Sequence, residues 1–133
     1  MPGPGIIKAL SEIAIPKKRA LLLLAELSSQ GNLTTEAYRN ATLAMAESNK
    51  ESVIGFITQR ALSTEPCWLN LTPGVSLSES GDQLGQQYST PSHVIKNGTD
   101  IIIVGRSIIS ATDPLMEAKK YRVAGWNAYL ERL

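Results

Sequence analysis

The chain has 133 residues, an apolar fraction of 43% and a formal charge of +1. That is the length of one domain with enough apolar residues for a core, which argues against disorder. Acidic and basic residues are interspersed, leaving no basic face for nucleic acid and no polybasic patch for a membrane. The longest apolar runs, Ala20 to Ala25 and Ile101 to Val104, are too short to cross a bilayer, and no charged segment followed by an apolar stretch opens the chain. A cytoplasmic protein is expected. Cys67 is the only cysteine, which excludes an internal disulfide and a thiolate metal cluster.

In chain order, Ile6, Ile7, Leu10, Ile13 and Ala14 fall on one helical face, and Pro16 ends that pattern. Leu21 to Leu27 reads as the first strand. A helix starting near Thr34 or Thr35 follows, with Tyr38, Ala41, Met45 and Ala46 as its apolar stripe. Val53 to Thr58 and Trp68 to Val75 read as the second and third strands, and Gln59 to Cys67 between them has room only for a loop or a short helical turn. A glycine- and glutamine-rich loop, Gly74 to Tyr88, comes next and could close over a ligand. The third helix is announced by Thr90 as N-cap, Pro91 at its first position and Gly98 beyond its end.

Ile101 to Arg106 is the fourth strand. Ile101-Ile102-Ile103-Val104 has no polar face and suits a parallel strand covered on both sides. At its end Gly105 lets backbone N–H groups approach an anion, and Arg106 offers a planar donor fork, so the segment reads as a phosphate site. Asp113 caps a last helix that Pro114 opens, with Leu115, Ala118, Tyr121, Gly125 and Ala128 on its buried face.

Apolar strands alternating with helices mean parallel βα units, in an open doubly wound sheet or in part of a (β/α)8 barrel. The turns favour the barrel. Polar and glycine residues gather after each strand, at Ser28-Ser29-Gln30-Gly31, Gln59-Arg60, Pro73-Gly74 and Gly105-Arg106-Ser107, where a barrel carries its active face. A complete barrel takes about 250 residues and eight strands. Four strands make half of one, with two unpaired edges and one uncovered face.

The segments L-L-L-L-A-E-L-S-S-Q-G-N-L at Leu21 to Leu33, V-I-G-F-I at Val53 to Ile57, L-T-P-G-V at Leu71 to Val75, G-D-Q-L-G-Q-Q-Y at Gly81 to Tyr88 and D-I-I-I-V-G-R at Asp100 to Arg106 carry a resemblance. Together they resemble the orotidine 5'-phosphate decarboxylase family in its eukaryotic form, which in animals is the C-terminal part of the bifunctional uridine monophosphate synthase. The resemblance covers nearly the whole chain, in order and at similar spacing. It implies an α/β fold that is the C-terminal half of a TIM (β/α)8 barrel, residues 1–133 running from the fourth helix through the eighth. It also implies conversion of orotidine 5'-phosphate to UMP and CO2 in pyrimidine biosynthesis, without metal or organic cofactor, in a homodimer.

By the same resemblance, Ser28 matches the serine that hydrogen-bonds the pyrimidine, Gln86 and Tyr88 match phosphate-loop residues, and Arg106 with the N–H groups around Gly105 matches the main phosphate site. Pro73 resembles the apolar wall near the reacting group. Ser107 departs from the pattern, which has glycine there, and its side chain would crowd the phosphate. The family's Lys/Asp array, built from a strand-end lysine and a D-x-K-x-x-D motif, is missing. Asp82, Asp100 and Asp113 are followed two residues later by Leu84, Ile102 and Leu115. No catalytic residue is therefore assigned.

Plainer roles stand beside each assignment. Arg106 could form a surface salt bridge, Gln86 and Tyr88 could simply hold a long loop, and Ser28 could be a cap or turn residue. His93, in the first turn of a helix, reads as solvated, Cys67 as a small buried apolar residue, and Lys17-Lys18-Arg19 as a solvated turn. Glu26, in an apolar strand, would need a lysine or a hydrogen-bond donor as partner. Three functional readings follow. The chain is the C-terminal part of a decarboxylase, a non-catalytic truncated form acting as an interaction module, or another phosphate-binding barrel enzyme. The expected partners are the small-molecule substrate and either further copies of the chain or a complementing N-terminal half-barrel.

Overall fold

The computed structural model describes residues 3–77 and 85–133. Among them the elements run α1 (Pro4–Ala14), β1 (Leu21–Leu24), α2 (Glu36–Glu47), β2 (Val53–Ile57), β3 (Leu69–Thr72), α3 (Pro91–Lys96), β4 (Ile101–Ile102), α4 (Arg106–Ile109) and α5 (Pro114–Arg132). The four strands form one sheet in the order β1-β2-β3-β4, with every neighbouring pair parallel. Residues 58–68 join β2 to β3 through turns and bends.

Register sorts the strand residues onto two faces. Leu23 lies beside Phe56 and Phe56 beside Asn70, and this face is covered by α1 and α2. Ile7, Leu23, Ala25, Ala46, Val53, Phe56 and Trp68 make one core cluster there, and the Phe56 and Trp68 rings meet at 5.5 Å. A second cluster of Val75, Val94, Ile95, Tyr121 and Ala128 joins α3 to α5, with Ile102 packed against it. On the opposite face the register aligns Leu22 with Gly55 and Leu69, and Leu24 with Ile57, Leu71 and Ile101. Here Leu22, Leu24, Leu69, Ile101 and Ile103 are exposed. Among the described residues the apolar strands are thus covered on one side only, not on both, because the helices that pack on the sheet lie on the same side.

The helix signals act as their chemistry dictates. Thr35, Thr90 and Asp113 each accept a hydrogen bond at their N-cap, from the amides of Tyr38, His93 and Met116. Buried faces differ in detail. In α1 the buried residues are Ile7, Ser11 and Ala14, while Ile6, Leu10 and Ile13 stay exposed. Ser11 tolerates burial because its hydroxyl donates to the Ile7 carbonyl and pairs with the Ser52 hydroxyl, both at 2.7 Å. In α2 Ala46 is buried as expected, but beside it the buried position is Thr42 and not the exposed Ala41; the Thr42 hydroxyl donates to the Tyr38 carbonyl at 2.9 Å. Leu115 of α5 is exposed, because the helix reaches the core only from Tyr121 onward.

Strand ends also move. The expected strand over Ile101 to Arg106 stops at Ile102, with one more ladder bond from the Ile103 amide to Thr72. Arg106 instead opens α4. Glu26 finds the donors that its burial requires in two arginines and a backbone amide. Its carboxylate meets Arg60 at 3.1 and 3.2 Å and Arg39 at 3.4 Å, and accepts from the Gln59 amide at 3.3 Å. Cys67 is exposed in a turn, 3.6 Å from a Glu65 carboxylate oxygen, which corrects its reading as a buried apolar residue. His93 and the Lys17-Lys18-Arg19 turn are solvated as their sequence context implies.

Candidate functional site

Because the strands are parallel, their C-terminal ends share one rim, and the loops leaving β1, β3 and β4 bring the candidate residues there. The second limb of the Gly74–Tyr88 loop is fastened at two points; residues 78–84, with the Gly81 to Leu84 part of its motif, lie outside the described residues. Gln86 forms an antiparallel bridge with Ser29, and Ser89 a parallel bridge with Val75. Main-chain bonds complete this: Gln30 N to Gly85 O at 2.9 Å, Gln87 N to Ser28 O at 3.2 Å, and Ser89 N to Gly74 O at 3.0 Å. The loop end is therefore held against the exits of both β1 and β3.

Side chains follow the backbone. The Gln86 amide donates to the Ser28 hydroxyl, joining residues 58 apart in sequence, and each is half-buried. Gly74 makes this approach possible. Its φ of +74° is in the left-handed region, and a Cβ there would lie 2.5 Å from Gln86 Nε2 and 2.8 Å from Ser28 Cβ. The sequence reading included Gly74 in the T-P-G-V turn without giving it a role, and the glycine after proline was the available signal. Pro73 is half-buried beside it, and its carbonyl accepts from Gln59 Nε2 at 3.1 Å. Glu26 and Gln59 thereby tie the ends of β1, β2 and β3 together behind the rim. This network was only partly foreseen.

Farther along the rim, the Arg106 guanidinium lies over the Tyr88 ring at 5.9 Å. Tyr88 is half-buried and Arg106 exposed, so the cation is flanked by an aromatic face. Gly105, directly before it, is exposed, and a Cβ built there meets no protein atom within 4 Å. The structure thus gathers the six candidate residues along one rim as two contacting pairs, Ser28 with Gln86 and Tyr88 with Arg106, plus the Pro73 and Gly105 positions beside them. Such a set offers a hydroxyl and an amide for a polar ring edge, and a guanidinium for an anion. A groove of about 880 Å³ lies elsewhere, between β4 and α5. Its lining mixes Ile101, Ile102, Val123 and Trp126 with Asp100, Lys119 and Arg122 and holds none of the six candidate residues, which gather on the rim.

Parallel βα units with a polar site at the C-terminal strand ends define a partial (β/α)8 barrel. Residues 1–121 match the model of the orotidine 5'-phosphate decarboxylase / HUMPS family, and the chain belongs to that family. It is 53% identical over 134 residues to the uridine 5'-monophosphate synthase of Bos taurus, covering 100% of this chain and 28% of that protein. It is 50% identical over 137 residues to the orotidine 5'-phosphate decarboxylases of Rhizopus oryzae and Debaryomyces hansenii. Those alignments cover 100% and 98% of this chain, and 52% and 51% of the respective enzymes. The chain spans about half the length of the curated decarboxylases it matches.

Proposed function

We propose that this chain is the nucleotide-holding half of an orotidine 5'-phosphate decarboxylase, running from the fourth helix of the barrel through the eighth. Ser28, backed by Gln86, recognises the pyrimidine edge. Arg106, Tyr88, Gln86 and the amides around Gly105 hold the phosphate, and Pro73 walls the reacting end. The observation that supports this best is the meeting of Ser28 with Gln86 and of Tyr88 with Arg106, which sets base and phosphate contacts along one rim.

Decarboxylation leaves negative charge on the ring carbon that loses CO2, and an enzyme accelerates it with charged groups and a proton donor placed at that carbon. The chain contains no D-x-K-x-x-D segment to supply them. Its contribution is binding energy remote from the reaction, which orients the substrate and accelerates chemistry only when the reacting groups are also in place. The chain alone should therefore form no UMP above the buffer rate. Adding the N-terminal half of a related enzyme is the direct test of complementation. The reading places the protein in the cytosol, working either with that half-barrel or with further copies of itself; no described helix is long and apolar enough to cross a membrane.

Calorimetry tests the binding role. UMP should bind more tightly than uridine, and Arg106→Ala should weaken UMP by about 1.5–3 kcal/mol, the worth of a charge-assisted hydrogen bond. Equal affinity for nucleoside and monophosphate would overturn the phosphate assignment. Ser107 sits half-buried at the second position of α4, and Ser107→Gly should tighten UMP if its side chain crowds the phosphate.

A further inference from the structure

The polar contacts behind the rim close into a circuit. Glu26 lies two residues before Ser28 on the exit of β1, and its carboxylate, in a residue 7% exposed, accepts from the Gln59 amide at 3.3 Å as well as from Arg60 and Arg39. Gln59 stands at the exit of β2 and reaches the next strand, where its Nε2 donates to the Pro73 carbonyl at 3.1 Å. Pro73 leads into Gly74, at which any Cβ would strike Gln86 Nε2 and Ser28 Cβ, and the Gln86 amide returns to the Ser28 hydroxyl. The path begins and ends on β1 and passes through β2 and β3 on the way.

The weak point of that circuit is the peptide joining Pro73 to Gly74. A proline–glycine pair accepts either orientation of the peptide between its two residues, because glycine is at ease with both signs of φ. Gly74 holds one of them, with φ at +74°. A donor on the Pro73 carbonyl fixes that peptide plane, and Gln59 supplies it. Gln59 is itself held on both sides. The Thr58 amide before it donates to the Leu71 carbonyl at 3.0 Å, and the Arg60 side chain after it grips Glu26 through two donors at 3.1 and 3.2 Å. A buried carboxylate between two arginines adds little stability over a well-packed apolar replacement; what it supplies here is a fixed position for the residue between them.

We propose that Gln59, braced by Glu26, is a positioning residue for the pyrimidine contacts. It acts through its neighbours and touches no ligand. By holding the Pro73 carbonyl it keeps the Gly74 turn in the form that lets Gln86 reach Ser28, so the pair that reads the base is set from the exit of β2. This rests on the assignment of Ser28 and Gln86 to the base made above. Arg106, the main phosphate contact, is carried instead by α4 and lies against Tyr88. Loosening the Gly74 turn therefore costs recognition of the base and spares that of the phosphate.

The test variant is Gln59→Met, which keeps the length of the side chain and the main-chain bond to Glu26 while removing the donor. Glu26→Ala would leave two arginine charges uncompensated and report on stability instead. In the ligand-free variant the Gln86 side-chain amide resonances should shift, and the Gln87 and Ser89 main-chain amides, bonded to Ser28 O and Gly74 O, should exchange at least about fivefold faster. The Ala25 amide, bonded to Ile57 O, should keep its rate. Calorimetry then compares UMP with ribose 5-phosphate, which lacks the base. The native chain should prefer UMP, and Gln59→Met should cut that preference about fivefold, the weight of one hydrogen bond, with ribose 5-phosphate affinity unchanged. Unshifted Gln86 resonances, faster exchange at Ala25 as well, an equal loss for both ligands or a native-like preference would each overturn the positioning role while leaving the base assignment in place. A native chain that binds both ligands equally overturns the base assignment, and this inference with it, before any variant is made.

Discussion

The two faces of the sheet are built from the same residue types and meet opposite fates. Leu23 and Phe56 face the helices and are 4% and 0% exposed, whereas Leu22 and Leu24, their neighbours in sequence or register, are 37% and 38% exposed. A run of four leucines in β1 supplies both sets. Apolar character in a strand therefore tells how much surface seeks cover, and says nothing about whether the cover belongs to the same chain.

The sharpest way to break this contrast is on the covered side. Phe56→Ala removes a fully buried ring that packs on Trp68, and should cost about 3–5 kcal/mol in denaturant unfolding. At the rim, where both faces end, Gly74→Ala forces a side chain into a left-handed turn already filled by Gln86 and Ser28. It should cost about 1–3 kcal/mol and lower UMP affinity in the same protein; unchanged affinity would separate the loop fastening from the site.

On the open face, Leu24→Ala should cost less than about 1 kcal/mol, because the leucine is already partly in water. A loss as large as that of Phe56→Ala would mean that the open face is covered.

The smallest effect lies away from both faces, at the exposed Lys50–Glu65 pair, 3.2 Å apart. Hydrogen bonding from Lys50, followed by its charge, holds the Glu65 carboxyl below the usual range, and the same contact raises Lys50. The Glu65 contribution is present above the ordinary carboxyl pKa and fades as pH falls through the lowered folded value. The Lys50 contribution is present below the ordinary lysine pKa and fades as pH rises through its raised value. A carbon-detected titration of Glu65 should show the lowered midpoint, and Lys50→Ala should raise it toward the ordinary range, with the smaller lowering by the Cys67 contact left in place.

The order of strands was legible because each is an apolar run bounded by turn residues, and the caps Thr90 and Asp113 were legible because Thr or Asp before Pro carries its own mechanism, whereas the start of α2 stayed open between Thr34 and Thr35. Strand ends were not. Ile101 to Arg106 looks uniform, yet the ladder stops with the Ile103 amide, since pairing depends on where β3 ends. The stripe of α2 was right at Tyr38, Met45 and Ala46 and wrong only at Ala41, because a threonine that bonds its own helix backbone, Thr42, buries as readily as an alanine. α4, with four residues, is too short to show a period. At the site, residue roles came from resemblance, and no local pattern reports that Gln86 reaches Ser28 or that Glu26 gathers Arg39 and Arg60.

The paired bridges at Ser29–Gln86 and Val75–Ser89 make the loop end a cross-tie, anchored at the exits of β1 and β3 and spanning the strand between them. A tie carries load both ways: tension applied through Gln86 and Tyr88 is shared by two strands, and any splaying of the sheet slackens the grip on the ligand. Nucleotide binding should brace the span mechanically, slowing amide exchange in β2 even though β2 supplies none of the proposed contacts.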